Sequence, residues 1–171
     1  MPLSLFDDDR PLDDDKDPGE DDAIELLSED HIEVQQLFQD YEDLMDANAE
    51  GAERESLARQ ICGLLSVHTQ IEEEIFYPAA QAVLDSDESV DDALADHAQA
   101  KSLIAEIEAA SAEDAGYDDL VRQLGEAIHR HVKEEEETLF VRVTHAGLDG
   151  QDIGRQLSDR REELLADLDA E

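Results

Sequence analysis

A chain of 171 residues can bury one substantial core, but 49 Asp and Glu against 12 Lys and Arg give it a net charge of −37. Such a field repels phosphate backbones and anionic lipids, which excludes nucleic acid and membrane surfaces as expected partners. No run approaches the ~20 apolar residues of a membrane helix, and the start MPLSLFDDDR has no basic segment followed by an apolar one, so a cytoplasmic location is expected.

Residues 1–22 hold ten acidic and two basic residues and the prolines Pro2, Pro11 and Pro18. That composition cannot bury enough surface to order itself, so a disordered acidic arm is expected. A first helix follows over about 22–47, with Ile24, Leu27, Val34, Phe38, Tyr41 and Met45 on one stripe. Its three- and four-residue steps run unbroken only when His31 is counted among them. Asn48 to Gly51 interrupts the pattern. A second helix over about 52–84 carries Leu57, Ile61, Leu64, Leu65, His68, Glu72, Ile75, Phe76, Ala79 and Val83. Pro78 inside it should disturb the hydrogen bonding near Glu74.

The third helix, about 89–110, shows Val90, Leu94, His97, Ala100, Ile104 and Ile107. The fourth, about 117–145, shows Leu120, Leu124, Ile128, His131, Glu135, Leu139 and Val143. A last amphipathic segment, about 151–168, carries Ile153, Leu157, Leu164, Leu165 and Leu168 and is expected outside the bundle or on a second subunit. The fold class is therefore all-α: an up-down-up-down four-helix bundle over 23–146 plus a C-terminal helix within 147–171.

Four histidines on core stripes would arise by chance with odds of about 3% if each position faced the core three times in seven. In two cases a glutamate follows four residues later: His68 with Glu72, and His131 with Glu135. A four-residue step turns a helix about 400°, so each pair points the same way. Buried imidazoles and carboxylates are costly unless they coordinate something. His31, His68, Glu72, His97, His131 and Glu135 are thus the candidate metal ligands. The rest of the glutamate runs, Glu73, Glu74, Glu134, Glu136 and Glu137, read as a solvated face. His129 falls on the opposite side of its helix from His131, and His145 sits at a helix end. Cys62 is the single cysteine, read as a small buried hydrophobe.

The chain also repeats itself. Asp30-His31 precedes His68-x-x-x-Glu72-Glu73-Glu74, and Asp96-His97 precedes His131-x-x-x-Glu135-Glu136-Glu137. Two hairpins with one ligand set imply an approximate two-fold axis with metal near it. Six nitrogen and oxygen donors without thiolate suit two iron ions; manganese or zinc come second.

In order and spacing these residues resemble the hemerythrin-like, or histidine–histidine–glutamate cation-binding, domains. The segments Glu72-Glu-Glu-Ile-Phe-Tyr-Pro78 and Glu135-Glu-Glu-Thr-Leu-Phe140 share the likeness, which spans about 22–145. The resemblance implies two non-haem irons with an oxo or hydroxo bridge. His31 and His68 would bind one, His97 and His131 the other, and Glu72 and Glu135 would bridge. It further implies a small ligand, O2, peroxide or nitric oxide, on a monomer or homodimer. Oxygen carriers of this family have one more histidine a turn after His97, where this chain has Lys101. One iron is then short of a protein ligand, which argues for binding or sensing of a small ligand, or for holding iron, over oxygen carriage. Two further readings are a peroxidase or nitric-oxide-processing enzyme and a metal-responsive interaction module using the fifth helix. The net charge with only three lysines, Lys16, Lys101 and Lys133, also resembles proteins of extreme halophiles, in which screening over about 3 Å at molar salt tolerates such repulsion.

Overall fold

Capping chemistry starts the helices where the apolar periodicity begins. Asp22 accepts from the Ile24 amide, Asp87 from Ser89 and Asp149 from Asp152, each satisfying an orphan donor of a first turn. The computed structural model describes residues 22–170; the rest of the expected acidic arm lies outside them. The elements are α1 (Ala23–Asp46), α2 (Gly51–Ile71), a first π-turn (Glu72–Phe76), α3 (Tyr77–Leu84), α4 (Glu88–Ala109), α5 (Tyr117–Glu134), a second π-turn (Glu135–Leu139), α6 (Phe140–His145) and α7 (Gly150–Asp169). Each π-turn joins its flanking helices into one continuous rod, so the chain forms four rods up, down, up and down, with α7 packed on the first two. Gly116, at φ 90°, supplies the left-handed residue that turns the chain into α5.

The stripes bury as the periodicity demands. One apolar cluster gathers Val34, Tyr41, Ile61, Leu65, Ile107 and Leu124. A second gathers Leu27, Ile71, Phe76, Leu139, Val143 and Leu157. Each such side chain contributes about 1.5–3 kcal/mol by leaving water. Between the two clusters lies a polar layer, because every rod that supplies apolar residues above and below supplies a histidine in the middle. Cys62 is buried in the first cluster, where burial and then Glu108 push its thiol up to about 12, so it packs as an inert hydrophobe.

The fifth helix packs on its own bundle. Leu157 is fully buried against the second cluster, Arg160 pairs with Glu74 at 2.8 Å, and Arg161 reaches Asp30 at 2.8 Å. Gly150 begins α7 against the cap of α1. A Cβ there would lie 1.7 Å from the Asp22 carboxylate, so Gly150→Ala forces that side chain off the Ile24 amide. The expected cost is that of a lost cap, about 1 kcal/mol, read as a lowered melting midpoint with no change at the polar layer.

Three sequence expectations are corrected. Leu94 and Leu168 leave the stripes and are each 38% exposed, Leu94 beside the buried Ala93. Phe38, placed on the first helix's core stripe, is only half-buried over Gly125, between α1 and α5, and lines a surface groove. The disturbance expected from Pro78 is present as the first π-turn, but the second π-turn contains no proline. Proline is therefore not the shared cause; the shared feature is a buried glutamate at each turn's first position. Among the described residues no helix is long and apolar enough to cross a membrane.

Candidate metal centre

Each rod delivers one histidine to the polar layer, and the second and fourth each add a glutamate one turn on. His31, His68, Glu72, His97, His131 and Glu135 are all buried, with Glu72 at 0% exposure. Their inner atoms converge. The Nε2 atoms of His31 and His68 lie 3.2 Å apart, as do those of His97 and His131. Glu72 Oε1 lies 2.7 Å from His68 Nε2 and 3.5 Å from His97 Nε2. Glu135 places Oε1 3.2 Å from His31 Nε2 and Oε2 3.3 Å from His131 Nε2. Each carboxylate thus spans both halves of the layer. The donors form two overlapping sets, His31, His68, Glu72 and Glu135 in one and Glu72, His97, His131 and Glu135 in the other, with ligand atoms within 4.8 Å of one another.

Proximity does not make these contacts hydrogen bonds. Both Glu72 oxygens and Glu135 Oε1 have no aligned hydrogen-bond partner although fully buried. Orphaned buried oxygens are rare and costly. Their aim toward a common interior point, shared with four imidazole nitrogens, is what a bound cation would satisfy.

The outer nitrogens are held by carboxylates. His31 Nδ1 donates to Glu136 at 3.1 Å, His68 Nδ1 to Asp30 at 3.1 Å and His131 Nδ1 to Asp96 at 3.2 Å. His97 Nδ1 faces Glu73 at 3.5 Å, beyond a hydrogen bond, and Glu73 is itself gripped by Lys101 at 2.7 Å. A proton on Nδ1 leaves the Nε2 lone pair pointing inward, the tautomer a metal needs.

The electrostatics make the same demand. Burial alone would lower the His68 pKa, but Glu72 and Asp30 outweigh it and hold it well above the ordinary histidine value. His131 is raised to about 9; burial opposes the shift, and Glu135 and Glu72 overcome it. Burial would raise Glu72, yet His68 and His97 keep its carboxyl well below the usual range. The cluster therefore draws in positive charge, as protons when nothing else is there.

Tyr77 is the site residue that sequence reasoning missed. Its buried hydroxyl donates to Glu135 Oε2 at 2.6 Å and lies 3.0 Å from His97 Nε2. Burial, then Glu72 and Glu135, raise its pKa far above the ordinary phenol value. Five residues after Glu72, it would turn away on a regular helix; the i→i+5 bond from Tyr77 N to Glu72 O brings it back to the inner face. Phe140 holds the equivalent place after Glu135 and stacks on His31 with centroids 5.9 Å apart. The two halves therefore differ by one hydroxyl. The position Lys101 leaves short of a histidine has a phenol beside it, while Lys101 itself points outward, 53% exposed.

Glu73 and Glu136 correct the expectation of a wholly solvated acidic face: both turn toward histidine outer nitrogens because those rings present Nδ1 to the seam between neighbouring rods. His129 and His145 are exposed and apart from the cluster.

The hemerythrin HHE cation-binding domain profile matches residues 22–143. The chain belongs to the hemerythrin HHE cation-binding family. A protein from Mycobacterium kansasii described as hemerythrin HHE cation-binding domain-containing shares the fold, with a TM-score of 0.69 over 85% of this chain and 88% of that one at 20% identity. A Nostoc protein named DNA nickase is 29% identical over 122 residues, which make up 70% of this chain. The chain spans 32% of that relative's length. Family membership and the buried His/Glu cluster together support a metal cation site in this protein.

Proposed function

We propose that this is a non-haem di-iron protein of the hemerythrin type that binds or senses a small ligand: O2, peroxide or nitric oxide. The observation that carries the reading is the pair of overlapping donor sets sharing Glu72 and Glu135. In it His31 and His68 would hold one cation and His97 and His131 the other, with Glu72 and Glu135 available to both. All-nitrogen-and-oxygen donors without thiolate suit iron, then manganese. Bound there, an iron pair supplies reversible one-electron chemistry and open coordination positions.

The chain's own residues do the rest. Phe76, Leu139 and Phe140 close the layer on one side and Val34, Leu65 and Ile128 on the other, keeping bulk water away. Tyr77 donates to Glu135 and orients it. Its oxygen lies 3.0 Å from His97 Nε2, so it would offer that half one more oxygen donor. Tyr77→Phe is expected to leave the fold intact, weaken the second cation more than the first, and remove any phenolate charge-transfer absorption from the ferric protein. An unchanged spectrum and affinity would remove Tyr77 from the centre.

A hydroxyl proton donor on one half only also favours a second reading, a di-iron redox enzyme acting on peroxide or nitric oxide. Steady turnover lost in Tyr77→Phe distinguishes it from simple binding. The charge of −37 opposes DNA's phosphates, so nicking, named for the Nostoc relative, forms no part of the reading. The deciding experiment is metal analysis of protein produced with iron, followed by optical spectra under O2. Two irons per chain and an oxo-bridged absorption are expected; zinc alone, or no metal, overturns the proposal.

A further inference from the structure

The repeat makes the bundle nearly symmetric, and the structure breaks that symmetry on one side. Between α4 and the rod of α5 and the second π-turn lies a cleft of about 270 Å³. Its mouth carries Ser89, Asp92, Asp96, Glu134 and Thr138. Its inner end reaches His131 and Glu135, both inside the polar layer and both buried. From there Glu135 reaches across the layer, its Oε2 3.3 Å from His131 Nε2 and its unpartnered Oε1 3.2 Å from His31 Nε2.

Aligning the repeat, with Asp30 against Asp96 and His68 against His131, gives the same place on the other hairpin. There Ser89, Asp92, Glu134 and Thr138 correspond to Ala23, Leu26, Ile71 and Ile75. Four polar positions have become four apolar ones, and α7 packs over them. Leu157 seals that side at 0% exposure, and Arg161 closes on Asp30 at 2.8 Å. The closed side thus gains two arginines from α7, Arg160 and Arg161. Arg142 at the open side is neutralised on Asp87 at 2.8 Å while it bonds Ser89.

We infer that divalent cations enter the centre through the α4–α5 cleft, drawn by Asp92, Asp96 and Glu134 and handed to His131 and Glu135, while α7 closes the symmetry-related path. The inference rests on the metal-centre reading above. Solvent exposure by itself accounts for polar side chains on a surface. It does not account for a cleft whose inner end is a buried histidine and a buried carboxylate of the polar layer. An acidic mouth with low-dielectric walls concentrates cations and repels anions, an effect that changes entry rates by tenfold or more. The same mouth makes a neutral small ligand the favoured visitor once the cations are in place. The half it opens onto is the one carrying Tyr77.

The test is the rate of Co2+ uptake by the metal-free protein, followed optically after rapid mixing, with equilibrium stoichiometry measured alongside. The double variant Asp92→Arg with Glu134→Arg reverses charge at two exposed positions. It is expected to slow uptake about tenfold at low ionic strength, with the gap closing near molar salt. Ala93→Phe, which fills the cleft wall, is expected to slow uptake at every salt concentration. Glu106→Arg, exposed on the same helix but away from the cleft, should fill at the wild-type rate. All should reach the wild-type stoichiometry. If Ala93→Phe fails to fold, the charge-reversed variant still decides. Cleft variants that fill as fast as Glu106→Arg overturn the entry route and leave the metal centre standing. A wild-type protein that takes up no divalent cation overturns the centre itself, before any variant is compared.

Discussion

On the two-cation reading, replacing Glu72 with glutamine is expected to give a folded protein that has lost both cations, not one. Each carboxylate serves both halves: Glu72 lies 2.7 Å from His68 Nε2 and 3.5 Å from His97 Nε2, and Glu135 reaches His31 and His131 at 3.2 and 3.3 Å. These two groups are also the only negative charges in the inner donor set. One remaining carboxylate must then offset two dications, and an amide neither bridges them nor carries charge. Affinity should fall more than about 100-fold, beyond the 10- to 100-fold typical of removing a ligand's outer partner. Asp30→Asn and Asp96→Asn supply that comparison, each weakening the half whose histidine it holds. Helix content should survive, because glutamine keeps the shape while relieving the cost of burying an ion. Metal analysis, and the loss of the metal-induced rise in melting temperature, read the result. A Glu72→Gln protein that retains two cations would show that this carboxylate does not bridge.

The six inner residues were legible because a helix converts spacing into direction, and a histidine within an apolar stripe has one direction to point. The bundle was legible for the same reason: the first and fourth helices were predicted as 22–47 and 117–145, and the structure has Ala23–Asp46 and the rod Tyr117–His145. What sequence concealed depends on departures from regular geometry or on neighbouring rods. Tyr77 faces inward only because the π-turn adds a residue to the turn before it, and nothing in a 3.6-residue period announces that. Its counterpart Phe140 was quoted within a motif without a role for the same reason. Glu136 and Glu73 looked like parts of a charged run because their partners, His31 and His97, sit on rods distant in sequence. The repeated Asp-His pairs were the available signal for Asp30 and Asp96. Their function is visible only once α1 lies beside α2 and α4 beside α5, where each aspartate meets the histidine of the adjacent rod and not its own neighbour. Lys101 likewise read as a missing ligand, whereas its ammonium anchors the carboxylate facing His97.

The metal-free protein should lose stability as pH rises from about 7 to above 9. The sign follows from the polar layer. His131 is raised from 6.5 to about 9, and His68 is raised as well, because each imidazolium is favoured by buried carboxylates. A group whose pKa is higher folded than unfolded contributes its full stability below the unfolded value and loses it as pH passes the folded one. For His131 alone that is about 3 kcal/mol, at 1.36 kcal/mol per pKa unit, lost between about pH 6.5 and 9. With cations bound the dependence reverses in origin: ligands must be deprotonated, so affinity rises with pH and binding at neutral pH releases protons. Melting curves at half-unit steps, with chelator and with saturating metal, should diverge progressively toward pH 9. Glu135→Gln removes the largest of the contributions that raise His131 but leaves His68 with Glu72 and Asp30, so its metal-free melting temperature should fall less steeply across the same window. A metal-free wild type that gains stability over this range would mean that the layer holds no extra protons, and that the convergence of its carboxylates and imidazoles is met by something other than positive charge.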